Sequence, residues 1–254
     1  MSNFTGKTVL ILGGNVPLAV ALAGPLNAAG ASVIIGSAQD DPQVKTDLHY
    51  IWFTEVSLAT PEIANPAAAA LAPDVVILVP GWFKRSLFIQ SEDADWDDAL
   101  RINFEESTYA LQAAGRSLVA GGKGGRIIVL SHVAALKAHL EMSAFATTLA
   151  ALHVTARLAA VDLASAGVTV NVIALGWSAD AAFAEYVSDT NVAAITRTIP
   201  AGRLLDTRDT VELIRFLASD DAQYITGAVI PLDGGYSIHK GDGGDRPPTK
   251  GNWP

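Results

Sequence analysis

The chain has 254 residues, of which 50% are hydrophobic and only 17% charged, and its 17 lysines and arginines against 26 aspartates and glutamates leave a net charge of −9. That balance, with no basic cluster to interrupt it, speaks against nucleic acid as a partner, and the absence of cysteine excludes disulfides, thiolate metal sites and cysteine nucleophiles. A mean hydropathy of +0.31 excludes a long disordered chain, and a monomer of this size buries about 70% of its unfolded surface, enough for one sizeable core.

Met1 to Lys7 has no charged start leading into a long apolar stretch and a small-residue cleavage site, so it does not read as a secretion signal and a cytoplasmic protein is expected. The uncharged run from Thr8 to Gln39 is broken by Gly13, Gly14, Pro17, Gly24, Pro25 and Gly30. It reads as strand, helix, strand rather than as a membrane span. Strands are expected at Thr8–Leu12, Ser32–Ile35, Val75–Val79, Arg126–Leu130, Thr169–Ala174 and Ala228–Pro231, several of them continuous apolar runs of the kind that helices cover on both faces. Helices are expected at Leu18–Ala29, Trp96–Ala120, Ser143–Ala164 and Thr210–Ser219. Gly30 and Gly167 serve as helix-ending glycines, Thr210 as the cap of the last helix, and Pro25 falls inside the first, where it removes a backbone donor. Between Glu55 and Asp74, Pro61 and Pro66 predict a truncated or irregular helix.

Alternation of strand and helix implies an α/β fold, a doubly wound parallel sheet with helices on both faces in three layers. No internal repeat or domain boundary interrupts it. Residues 1–238 are expected to form a single Rossmann-like domain. Residues 239–254 form a Gly- and Pro-rich tail with no periodic apolar face, in which Trp253 alone offers an anchor.

The order and spacing of Gly13-Gly14, Asn103, Val170-Asn171-Val172 and Asp233-Gly234-Gly235 resemble the short-chain dehydrogenase/reductase family over Phe4 to Ser237. The resemblance implies a seven-stranded parallel sheet, a nicotinamide cofactor and assembly into dimers or tetramers. The working positions depart from it. The family's glycine-rich turn falls on Gly13, Pro17 and Ala19, so only the first glycine remains, and Pro17 has no N–H to offer a phosphate, although it suits the first position of a helix. The family's catalytic serine, tyrosine and lysine fall on His132, Phe145 and Leu149. Phe145 has no hydroxyl to move a proton, and Leu149 has no charge to bind a ribose or depress a phenol pKa. No other tyrosine is followed by a lysine four residues on, so a register shift does not restore the pair. Asn103 is kept. The asparagine-rich loop of the family reads Leu78-Val79-Pro80-Gly81, and its proline before Gly176 is Leu175. Gly36-Ser37-Ala38 offers neither an acid for an adenosine ribose nor an arginine for a 2′-phosphate, while Glu55 stands near the adenine-contacting acid.

These losses imply that the chain binds no cofactor of its own and acts as a non-catalytic subunit, a pseudoenzyme. The expected partner in a heterotetramer is a catalytically competent short-chain dehydrogenase homologue that carries NAD or NADP. The pattern is similar to the degenerate subunit type of a heteromeric 3-hydroxyacyl-CoA dehydrogenase, as in anaerobic toluene degradation. Relatives pack the two long helices here read as Trp96–Ala120 and Ser143–Ala164 across subunit contacts. One alternative is a cofactor-independent dehydratase, isomerase or cyclase that uses His132, with Ser131, Asn103 and Glu141 nearby and a histidine titrating near neutrality. Another is a small-molecule-binding regulatory module. His139, His153 and Glu141 have no metal-ligand spacing, and no metal site is expected. Phe145, Leu149 and Leu152 lie on one helical stripe and are expected in the core, filling the volume of the missing nicotinamide.

Overall fold

The computed structural model describes residues 4–13, 17–37, 49–52, 72–178 and 192–239. Gly14, Glu55, Pro61, Pro66 and the tail beyond His239 lie outside them. Seven strands form one parallel sheet in the order β3-β2-β1-β4-β5-β6-β7. These are β1 (Thr8–Leu12), β2 (Ser32–Ser37), β3 (His49–Trp52), β4 (Val75–Leu78), β5 (Gly125–His132), β6 (Val168–Leu175) and β7 (Val229–Leu232). The helices are α1 (Pro17–Ala28), α2 (Asp93–Ala99), α3 (Ser107–Gly121), α4 (Ser143–Leu163), α5 (Val192–Thr198) and α6 (Thr207–Leu217).

The continuous apolar strands are buried on both faces, as the sequence pattern requires. Val9, Ile11, Ile35, Ile77 and Ile128 face α1 and α6, whereas Leu10, Val76, Ile127, Val129 and Val170 face α3 and α4. The order reverses between β1 and β4, which places a crevice at their carboxyl ends, the position where open α/β sheets take ligands. A third, smaller core caps the carboxyl ends of β5 and β6 and contains Phe145, Leu149, Trp177, Ile195 and Ile199.

One element is added to the sequence reading and two are corrected. β3 is absent from the sequence reading, because His49-Tyr50-Ile51-Trp52 is too short to show a period; it is fixed by pairing with β2, from Ile34↔His49 to Ser37↔Trp52. The helix expected over Trp96–Ala120 is instead α2, a π-helical stretch over Leu100–Glu106 and α3. The cap of the last helix is Asp206, whose carboxylate accepts from the Arg208 N–H at 2.7 Å and which shares a capping box with Asp209; Thr210 is buried one turn further in. Pro25 lies inside α1 without ending it, and Gly30 and Gly167 take positive φ angles of 97° and 73° behind their helices.

Two of the family-like anchors hold the scaffold through side-chain hydrogen bonds. Asn171 donates to the Ile225 carbonyl at 2.7 Å and accepts from the Ala228 N–H at 3.1 Å, which ties the turn before β7 to β6. The Asp233 carboxylate accepts from the Gly235 and Ser237 N–H groups at 2.8 and 2.7 Å. Asn171→Ala strands two backbone groups and should cost about 2–4 kcal/mol, whereas Asp206→Ala, which removes an exposed cap, should cost about 1 kcal/mol. Urea midpoints of the two variants at neutral pH check the difference.

Candidate functional site

At the crevice between β1 and β4 the backbones of the two strand ends lie in close contact. Gly13 has φ +117° and donates its N–H to the Gly36 carbonyl at 3.1 Å, while the Val79 N–H reaches the Leu12 carbonyl at 2.9 Å. A Cβ on Gly13 would stand 2.3 Å from the Val79 oxygen. The glycine is therefore required by the packing of β1 against the end of β4, whether or not a phosphate ever approaches it. Pro17 opens α1 without an N–H, and Leu18 and Ala19 are buried against the α1–α6 core. Small residues at this turn serve packing first.

The carboxyl end of β5 carries the second half of the site. His132 ends the strand with its side chain wholly buried. Its Nδ1 accepts from the Ala134 N–H at 3.1 Å, and its ring lies 4.8 Å from the ring of Trp177 and 5.7 Å from that of Phe145. Burial, and to a lesser degree the nearby His139, push its pKa down to about 3. The imidazole is neutral across the physiological range. This corrects the expectation of a histidine poised near neutrality.

Nor does the structure assemble the group imagined around it. Ser131 turns away to the other face and pairs with His153 at 2.7 Å, both buried between β5 and α4. Desolvation, followed by the charge of Arg157, brings His153 down to about 4. Glu141 pairs with Arg85, and its backbone takes φ +64° where the 137–142 loop is bridged to Ser86. Among the described residues no cluster of three histidines, cysteines or carboxylates could hold a metal ion.

Asn103 is wholly buried in the π-helical stretch and clamps the backbone of Trp82. Its Oδ1 accepts from the Trp82 N–H at 3.0 Å, and its Nδ2 donates to the Trp82 carbonyl at 3.0 Å, with Thr148 Oγ1 at 3.5 Å. One side-chain amide thus satisfies both polar groups of a peptide segment that carries two large aromatic residues, Trp82 and Phe83, towards the third core. Phe83 meets Phe145 edge-on at 5.1 Å.

Phe145 and Leu149 stand one turn apart on α4, 5% and 2% exposed, inside that core. The hydroxyl and ammonium that would face a nicotinamide ribose are replaced by packed hydrocarbon. Trp177, directly after Gly176, completes the filling, its ring 5.5 Å from that of His139 and 6.2 Å from that of Tyr236. Sequence reasoning passes over Trp177, the Ser131–His153 pair and the clamp of Asn103 on Trp82. An indole immediately beyond the end of a buried strand is the one available signal. Among the described residues, Phe145 and Leu149 offer a nicotinamide nucleotide neither a hydroxyl nor an ammonium.

A family model described as enoyl-(acyl carrier protein) reductase matches residues 17–237. The chain belongs to the short-chain dehydrogenase/reductase family. It is similar to the 3-oxoacyl-[acyl-carrier-protein] reductase FabG of Escherichia coli, 28% identical over 243 residues that cover 92% of this chain and 98% of the relative. It is also similar to the human (3R)-3-hydroxyacyl-CoA dehydrogenase, 29% identical over 163 residues, 64% of this chain and 62% of that protein. Among solved structures, a short-chain type dehydrogenase/reductase from Mycobacterium ulcerans superposes with a TM-score of 0.80 at 25% identity, covering 93% of this chain and 92% of that one. RhlG of Pseudomonas aeruginosa in complex with NADP gives 0.79 at 24% identity, covering 92% and 98%.

Two buried histidines held neutral make stability depend on pH. Their folded pKa values lie below the unfolded value, so the unfolded chain takes up protons first as pH falls. Stability is then full above about pH 6.5 and declines towards pH 4, by at most about 1.4 kcal/mol per pH unit for each histidine. In variants carrying His132→Leu or His153→Leu the plot of urea midpoint against pH should flatten between pH 6.5 and 4.

Proposed function

We propose that this chain is a non-catalytic subunit of a cytoplasmic short-chain dehydrogenase complex. It assembles with a catalytically competent homologue that carries the NAD or NADP, and binds neither itself. The observation that carries this reading is the third core. At each position where an active family member needs a hydroxyl or an ammonium, this chain has a buried, well-packed side chain, whereas the anchors that hold the scaffold are intact. His132 in particular is sealed from solvent and held neutral, which does not favour cofactor-independent acid–base chemistry.

The partner's substrate is a hydroxyl/keto pair on an acyl thioester. This rests on the curated relatives, which are named for 3-oxoacyl-[acyl-carrier-protein] and (3R)-3-hydroxyacyl-CoA; a 3-hydroxyacyl-CoA is the form proposed here. Support for assembly comes from α4, where Val154, Leu158 and Val161 form an apolar stripe left 54%, 62% and 77% exposed in the single chain. Apolar rows of this kind are what helix–helix contacts between subunits cover.

The purified chain alone should give no saturable change in NADH or NADPH fluorescence up to millimolar nucleotide and no turnover of a 3-hydroxyacyl-CoA. Co-expressed with a homologue that keeps the serine, tyrosine and lysine, it should co-elute in a stoichiometric complex with dehydrogenase activity. Micromolar nucleotide binding by the chain alone overturns the reading of the site, and failure to associate with any such homologue overturns the subunit role. Leu158→Glu, which places a charge in the middle of the exposed stripe, should abolish association while leaving the chain folded.

A further inference from the structure

The turn after β7 is held at its start by the Ala201 N–H, which donates to the Gly234 carbonyl at 3.0 Å, and at its far end by the loop that carries Lys137 and His139. Lys137 Nζ donates to the Tyr236 carbonyl at 3.1 Å and to the His239 carbonyl at 2.6 Å, and the same ammonium lies 4.7 Å from the centre of the Tyr236 ring. Two residues on, His139 stacks on Tyr236 with ring centres 5.3 Å apart and planes 13° from parallel, and its Nδ1 lies 3.3 Å from the Tyr236 hydroxyl. Trp177 closes the cluster edge-on to both rings. The neighbouring Ile238 is 89% exposed, so apolar burial does little to hold this end of the turn.

The geometry points to a proton-sensitive latch, in which neutral His139 closes the Tyr236–His239 turn over the third core and protonated His139 releases it. The reasons are local. A protonated imidazole has two N–H groups and no acceptor: Nδ1 can donate to the Tyr236 hydroxyl, but the second N–H falls on Nε2, which is buried with no hydrogen-bond partner among the described residues. Among the described residues, the groups facing the ring offer no compensation. Lys137 on its own loop is a cation, His132 on β5 stays neutral, and Tyr236 comes from the turn. Among the described residues no carboxylate forms an ion pair with His139. Burial, then the charge of Lys137, lowers its pKa in the closed state. The open state, with the ring in water, takes up the proton more readily, so acidification favours opening. Release uncovers the edge of Trp177.

Hydrogen exchange at the amides of Tyr236, Ser237 and His239, with each rate divided by its intrinsic value at that pH, tests the latch. In the native chain their protection should fall between pH 7.5 and 5.5, by up to about tenfold, the most that one histidine titrating near 6.5 in the open state supplies. The amides of Ile128 and Val129 in β5 should hold over the same window. His139→Gln should keep the turn protected at both pH values, and Lys137→Met should leave it unprotected at both. If His139→Gln loses β5 protection as well, the ring-proton shift of His139 in the native chain replaces it, and its midpoint should lie below 6.5, with turn protection falling as the pH approaches it. Unchanged protection in the native chain, an equal fall in folded His139→Gln, a parallel loss in β5, turn protection retained in Lys137→Met, or a midpoint that does not lie below 6.5 overturns the latch.

Discussion

The packing of Trp177 against His132 and Phe145 governs what the carboxyl ends of the strands can do. In a parallel sheet covered on both faces, those ends and their loops are the remaining place where polar groups can converge on a ligand. Here that place has its own hydrophobic core. The volume is occupied by an indole, a phenyl ring and a neutral imidazole, and it is closed from above by the turn that carries Tyr236. Interiors pack at crystal-like density, so a pocket whose ligand contacts are gone is stable only when side chains take up the space. The same filling gives the loops after β4, β5 and β6 something to fold against.

Much of the scaffold is legible in the residues. Continuous apolar runs announce buried parallel strands, and Gly30 and Gly167 mark helix ends. β3 escapes notice because four residues carry no period and its position depends on pairing with β2. The long helix before β5 reads as one piece because apolar spacing survives a π-helical turn, which changes the hydrogen-bond ladder without disturbing the stripe. Thr210 passes for a cap because its hydroxyl has the right chemistry, whereas Asp206 in the preceding turn already meets the free N–H groups.

The site is legible as a set of missing groups and illegible as a set of contacts. That Phe145 and Leu149 lack a hydroxyl and an ammonium is plain from their identities. That Ser131 turns to His153 and that Glu141 turns to Arg85 depends on which face of β5 each side chain takes and on loops with no periodic pattern. Histidine is especially opaque in this respect. Its identity suggests a group near neutrality, and only burial reveals that the proton is excluded.

Asn103 illustrates how a residue can outlive one employment by holding another. Its amide grips both backbone groups of Trp82, and removing it would leave a donor and an acceptor without water in the interior. Selection against that mechanical failure operates with or without a proton relay. The presence of an asparagine at this place in a family sequence is therefore weak testimony to activity.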